Sequence, residues 1–279
     1  MNIRSLCDLH IHSHYSDGSL SPAGIVAAAA RVGLAAVSVT DHDTTAGQPE
    51  ALAAGRETGV EVVTGIELSV EQPQPEIHIL GYLFDPREPV LLGRLELLER
   101  SRRQRVRTMV ELLRGSGVDV SAEEIFAAAG GGTIGRPHVA KILLRCGIVA
   151  TFQEAFDRFI GNGRSCYVPK DSITLEQVVG LIRGAGGVAV WAHPGYAIRD
   201  GALLQRIVDA GIAGLEAWHP NHSQQITALV IDEARRLGLV CTGGSDYHFD
   251  EAMKSTLGGI AVPYEAVRRL RDAAGGHLS

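Results

Sequence analysis

Cysteine is scarce and scattered: Cys7, Cys146, Cys166 and Cys241 include no C-x-x-C pair. That excludes a zinc ribbon and a disulfide framework, and it fits a reducing, cytoplasmic setting. Long apolar runs are missing too. The most apolar stretch, Ile25 to Val39, is broken by Arg31 and Gly33 and falls short of a bilayer span. Met1-Asn2-Ile3-Arg4 leads into Cys7-Asp8-Leu9-His10 without the apolar core of a secretory leader. Positive charge is not in excess either. The 26 Lys and Arg against 32 Asp and Glu leave a net charge of −6, which does not suit a nucleic-acid coat. Gly130-Gly131-Gly132 and the stretch from Gly184 to Gly187 lack the Lys-Ser/Thr of a phosphate-binding P-loop, so they read as turns and hinges. No repeat or low-complexity segment stands out. What is there is a chain of 279 residues, 45% hydrophobic and 21% charged, enough to fold around a sizeable core. It is also rich in histidine, with 11, most of them paired or beside Asp or Glu.

Short β-branched runs alternate with helical stretches, the pattern of repeated β-α units around a parallel sheet or barrel. Leu6 to Ile11 reads as a first strand, and Ser21-Pro22 as the cap of a helix closed by Gly33. Ala36 to Thr40, Val60 to Gly65 and Ile77 to Phe84 read as the next strands, with a helix over Ala46 to Thr58. From Pro89 to about Gly115 comes one long helix, with Leu91, Leu92, Leu95, Leu98, Met109, Leu112 and Leu113 on its apolar side. Capping boxes Ser121-x-x-Glu124 and Thr151-x-x-Glu154, with Pro137 at a first helical position, mark three short helices. The alternation resumes after Val168, with strands Val188 to Ala192, Gly214 to Trp218 and Leu239 to Thr242, and a last one over Gly259 to Val262. The expected organisation is an α/β barrel formed by residues 1–98 and 169–279, interrupted by an all-α insertion over 99–168 that would serve as a substrate lid.

In the first strand, His10 and His12 lie two apart and face the same side, with Asp17 close behind. Further clusters are Thr40-Asp41-His42-Asp43, Gly65-Ile66-Glu67, Ile77-His78, Ala192-His193-Pro194 and Ser245-Asp246-Tyr247-His248. Taken singly, each suits a cap, a turn or a satisfied core histidine. Together, five of the six clusters fall at the C-terminal ends of expected strands, the edge where barrel enzymes assemble their sites. Imidazole with carboxylate suits zinc, manganese or iron. The nine donors His10, His12, Asp17, His42, Glu67, His78, His193, Asp246 and His248 exceed what one ion can use, so several ions are expected. Clustered divalent ions suit displacement at phosphorus.

These motifs resemble those of the polymerase and histidinol phosphatase (PHP) superfamily, in its stand-alone bacterial phosphoesterase branch, and they run through nearly the whole chain. The resemblance implies a distorted (β/α)7 TIM-like barrel with a trinuclear site. It would place His10, His12, Glu67 and Asp246 on one ion, Glu67, His78 and His193 on a second, and Asp17, His42 and His248 on a third. Manganese is the first choice of metal, with zinc and iron(II) as alternatives. The resemblance further implies nucleotide work: removal of the 3′-phosphate of nucleoside 3′,5′-bisphosphates or 5′-3′ trimming of short 5′-phosphorylated RNA; the nucleophile expected from the metal chemistry is a hydroxide held between ions. Histidinol-phosphate hydrolysis is a rival within the superfamily, and a noncatalytic metal-binding regulatory module is a rival outside enzymes.

Five histidines stand outside the nine donors. His219 and His222 follow an expected strand and are the candidate catalytic groups, with His222 also a candidate phosphate contact. In the insertion, Arg136 and His138 open a helix at Gly135-Arg136-Pro137-His138, where forked donors and free N–H groups suit a phosphate. Lys170, on the return to the barrel, is a third candidate on the lid side. Arg100, Arg102, Arg103, Arg105 and Arg107 interleave with Glu96, Glu99 and Glu111, and read as a solvated, salt-bridged helix face in preference to an RNA track. The expected partner is a nucleotide or short RNA, with no membrane and no stable protein partner.

Overall fold

A computed structural model describes residues 6–70, 77–130, 132–169, 173–248 and 256–275. Strands β1 (Leu6–Ile11), β2 (Ala36–Val39) and β3 (Glu61–Val62) form one sheet, joined by α1 (Pro22–Val32) and α2 (Gln48–Thr58). The cap of α1 is as its sequence dictates: Ser21 Oγ accepts from Gly24 N–H at 3.0 Å, and Gly33 closes the helix at φ +80°. The two-residue β9 (Val262–Pro263) completes this sheet antiparallel to β1, and α10 (Glu265–Gly275) follows it.

A second sheet runs in the order β4 (Gly65–Val70), β5 (Ile77–Tyr82), β6 (Val188–Trp191), β7 (Gly214–Trp218), β8 (Val240–Gly243). Helices α7 (Leu175–Gly184), α8 (Gly201–Asp209) and α9 (Gln224–Leu237) lie between its later strands in sequence. The uniform parallel alternation expected from sequence is broken here, since β5 runs antiparallel to both β4 and β6. Only six residues separate β4 from β5, too few for the crossover that parallel neighbours require. The strand expected over Val60 to Gly65 is also divided: β3 ends at Val62 and β4 begins at Gly65, which puts Glu67 in mid-strand and not at a strand end. Single bridges His42↔Glu67 and Ile11↔Tyr247 tie the segment after β2 to β4 and the segment after β8 to β1, and among the described residues the two sheets form no single closed ladder.

The helical stretch is as long as expected. Helix α3 (Pro89–Gly115) is followed by α4 (Ala122–Ala128), α5 (Arg136–Arg145), α6 (Phe152–Ala155) and a π turn over Phe156–Ile160. Leu91, Leu95, Leu98, Met109 and Leu113 face inward, but Leu92 and Leu112 do not; they are 41% and 39% exposed. Val106, Met109, Ile125, Val139, Leu143 and Ile160 belong to a core that includes no strand residue. This segment meets the rest at Gly132, where a Cβ would lie 2.6 Å from the His14 carbonyl oxygen. Next to it, Thr133 N–H donates to the Tyr15 carbonyl at 2.7 Å. No helix among the described residues is long and apolar enough to cross a membrane.

Candidate metal centre

The nine donors expected from sequence converge. His10 in β1 and His12 just past its end are buried, with their Nε2 atoms 3.1 Å apart. Glu67, in mid-β4, is their shared partner. Its Oε2 lies 3.3 Å from His10 Nε2, 3.2 Å from His12 Nε2 and 3.1 Å from His42 Nδ1. Its Oε1 lies 2.8 Å from His78 Nδ1 and 3.1 Å from His193 Nε2. Asp246 Oδ1 approaches His10 and His12 at 3.4 and 3.2 Å, and His248 Nε2 stands 3.3 Å from Asp17 Oδ1. The loop bearing Asp246 passes this close to β1 because Gly244 has no side chain; a Cβ there would lie 2.3 Å from His10 N.

The donors fit divalent cations. Four sets of ligand atoms lie within 4.8 Å of one another: His12, Asp17, His42, His248; His10, His12, Glu67; His10, His219, Asp246; and His42, Glu67, His78. His219 stands in one of these sets beside the nine, and the sets overlap at His10, His12, His42 and Glu67. His42 Nδ1 is buried, faces Glu67 Oε2 and makes no hydrogen bond, as suits a lone pair kept for a cation. Burial pushes His42 down to about 4, so at neutral pH its ring is the uncharged form that binds metals. Burial alone would raise Glu67, yet the rings of His42, His78 and His10 hold it well below the usual carboxylate range. Burial would lower His12, but hydrogen bonds to Asp246 and Glu67 push it up to about 10, a proton that a cation would displace.

A layer of carboxylates orients the donors, and it is largely what the sequence reading missed. Glu216 is fully buried in β7; its Oε1 holds His10 Nδ1 at 2.9 Å and its Oε2 accepts from His193 N–H at 2.7 Å. Asp41 accepts from Ser13 N–H and Ser13 Oγ, both at 2.6 Å, and from Ser16 Oγ at 2.8 Å. Asp8 accepts from the backbone N–H groups of Ser245 and Gly258 at 2.9 Å each. The signals were present: Asp8 shares the face of His10 and His12, and Glu216 is a lone charge in an apolar strand. Asp43, His193 and Asp246 adopt left-handed φ angles of 51°, 29° and 48°, so the backbone is strained where it presents these groups.

On the Asp17, His42 and His78 side of the centre lies a cavity of about 180 Å³, walled by Arg102, Arg105, Arg136, His138 and Phe156. Arg136 donates to Asn162 Oδ1 at 3.0 Å, and its guanidinium stands 5.8 and 5.6 Å from the rings of Phe156 and Tyr167. His138 is buried, its Nδ1 accepting from Gly135 N–H at 3.2 Å, and burial pushes its pKa down. The arginine run of α3 divides. Arg100 and Arg103 make the expected pairs with Glu96 and Glu99, whereas Arg102 and Arg105 turn inward. Arg102 bonds Asp43 and the Ile134 carbonyl, and its side chain is only 10% exposed. They continue the 91-95-98 stripe at helical spacing, which marks them in the sequence as charges on an apolar face.

Neither His219 nor His222 lines this cavity. His219 Nε2 lies 3.3 Å from Asp246 Oδ2 and its Nδ1 accepts from Asn221 N–H. Both ring nitrogens of His222 are taken up by backbone, Nδ1 donating to the Ala217 carbonyl at 3.0 Å and Nε2 accepting from Gly195 N–H at 3.1 Å. That leaves neither nitrogen for the phosphate contact expected of His222. Lys170 lies outside the described residues.

A PHP domain model matches residues 8–160. The chain is 35% identical over 246 residues to the 3′,5′-nucleoside bisphosphate phosphatase of Chromobacterium violaceum, covering 86% of each chain. It is 32% identical over 261 residues to the 5′-3′ exoribonuclease Rnm of Escherichia coli, covering 88% of this chain and 86% of that one. Its fold matches the crystal structure of a protein from Bifidobacterium adolescentis assigned as a metal-dependent phosphoesterase. That match has a TM-score of 0.85 and 30% identity over 95% of this chain and 94% of that one. The chain therefore belongs to the PHP family, as a metal-dependent phosphoesterase.

Proposed function

We propose that the protein removes the 3′-phosphate of nucleoside 3′,5′-bisphosphates at a centre of three divalent ions, manganese foremost. The observation that carries this reading is a cavity with metal donors on one side and arginines on the other, a layout suited to a small substrate with two separate phosphates. The likeness to the C. violaceum bisphosphate phosphatase supports it. We read the two bridged sheets as a distorted (β/α)7 barrel, and residues 99–168 as the lid that brings Arg102 and Arg136 to the cavity.

His10, His12, Glu67 and Asp246 would hold one ion, Glu67, His78 and His193 the second, and Asp17, His42 and His248 the third; Glu67, whose Oε2 faces His10 and Oε1 faces His78, would serve both of the first two. When bound, such ions supply Lewis-acid polarisation of the phosphoryl oxygens and a water of lowered pKa. The chain's own part is positional. Arg136, braced by Asn162 and two rings, and Arg102, braced by Asp43, hold the non-reacting phosphate and so fix the other one against the donors. His219 accepts a backbone N–H at Nδ1, so its proton sits on Nε2 and is given to Asp246 Oδ2, which holds that carboxylate toward His10 and His12.

Phosphate release with manganese should be fastest from 3′,5′-bisphosphates, compared with 5′-monophosphates, 5′-phosphorylated RNA and histidinol phosphate. A chelator should abolish it. Chelator-resistant turnover, or a preference for histidinol phosphate, would overturn the reading. Arg136→Ala should raise KM about tenfold for a bisphosphate, given the ~1.5–3 kcal/mol of a charged hydrogen bond, and leave an aryl phosphate nearly unchanged. Equal losses on both substrates would remove the two-phosphate argument.

A further inference from the structure

Asp43 is the acidic residue of the Thr40-Asp41-His42-Asp43 cluster left outside the nine donors, yet it is buried and held at a left-handed φ. Strain of this kind persists only where the surroundings fix it. Segment 41–43 runs beside β4 as a short parallel ladder: Glu67 N–H donates to the Asp41 carbonyl at 3.2 Å, and Asp43 N–H to the Glu67 carbonyl at 2.9 Å. The next rung would run from Ser69 N–H to the Asp43 carbonyl. It goes instead to the Asp43 side chain, Oδ1 accepting at 3.2 Å, because the backbone turns away at this residue. Asp43 thus ends the pairing that fixes two donors against each other, His42 and Glu67, with His42 Nδ1 3.1 Å from Glu67 Oε2.

The other carboxylate oxygen faces the helical segment. Asp43 Oδ2 pairs with Arg102 of α3, which also donates to the Ile134 carbonyl at 3.3 Å and so ties Asp43 to two parts of that segment. Arg102 precedes the segment's own hydrophobic cluster, which starts at Val106. Both side chains of the pair are nearly shut off from water, so neither charge has solvent in place of its partner. Without Arg102 the carboxylate lacks a counter-charge, and turning toward water releases Ser69 N–H and frees His42 and Glu67 to slip. We propose that Asp43 is a positioning residue that couples the cation cage to the lid: Arg102 holds the carboxylate, the carboxylate holds the ladder, and the ladder holds His42 and Glu67. Such coupling is reciprocal, so bound cations steady the lid as much as the lid steadies their ligands. It needs the metal centre of the function proposed above, but not the identity of the ester cleaved there.

The test is manganese affinity in the absence of substrate, read by competition with a fluorescent chelator. Arg102→Gln should weaken it roughly tenfold, at the lower end for groups that orient metal ligands. Charge alone predicts the opposite sign, since removing a cation from beside the cage favours manganese. Arg136→Gln takes the same charge from the cavity wall without touching Asp43, and should not weaken manganese binding. Arg102→Lys should restore most of the affinity. Asp43→Asn keeps an acceptor for Ser69 N–H but loses the ion pair, so adding it to Arg102→Gln should cost much less than it costs alone. Hydrogen exchange needs no variant: manganese should slow exchange at the backbone around Ile134 in the parent. Unchanged or tighter manganese binding by Arg102→Gln, or exchange around Ile134 indifferent to manganese, would overturn the coupling and leave the phosphatase reading standing. A parent that binds no manganese would sink both.

Discussion

Glu67→Gln is expected to lower kcat/KM roughly 10³-fold, a loss that excess manganese does not restore. Glu67 is the group on which the centre turns: its two oxygens face five imidazoles between them, at 2.8 to 3.3 Å. Removing one partner from a buried charged cluster costs about 3–5 kcal/mol, and each ~1.4 kcal/mol is a factor of ten. Glutamine keeps the shape, but its –NH2 must replace one oxygen and turn donors toward rings whose lone pairs it should leave for cations. Elemental analysis of the purified variant should show fewer bound ions per chain than the parent. A loss below tenfold with full metal content would mean that Glu67 is dispensable as a bridge.

The second large effect is expected from a residue that touches neither metal nor substrate. Glu216→Gln should weaken manganese affinity by about 100-fold, at the upper end for groups that orient metal ligands. Glu216 accepts from His10 Nδ1 and from His193 N–H with its two oxygens. The rings around it, His10 foremost, hold its pKa below the usual value against the effect of burial, so it is ionised at neutral pH. An amide offers only one acceptor, so its –NH2 must face another N–H. Competition with a fluorescent chelator reads the affinity. In contrast to Glu67→Gln, high manganese should recover most of the turnover. Affinity within twofold of the parent would reduce Glu216 to packing.

The donors were legible because metal chemistry admits few residue types and β-strand geometry sets their spacing. His10 and His12, two apart at the end of β1, declare a shared face without any tertiary information. The long α3 and its capped successors were legible for a similar reason, since caps and the apolar stripe are local. The hairpin of β4 and β5 was not, because pairing direction depends on what the connecting segment can span and not on the apolar pattern. Arg102 and Arg105 were misread for a physical reason. Among glutamates at helical spacing, an arginine that pairs on the surface looks the same as one that turns inward, and only the position of Asp43 and Val168 separates them. His222 shows the converse: a titratable ring in a loop at the active edge spends both nitrogens holding that loop in shape.

The hydrophobic cluster running from Val106 to Cys166 shares no residue with the strands that present the donors. Substitutions that reshape the arginine-lined wall can therefore accumulate there without loosening the cation cage. Selection is free to retune which phosphorylated molecule is admitted while the hydrolytic apparatus stays as it was.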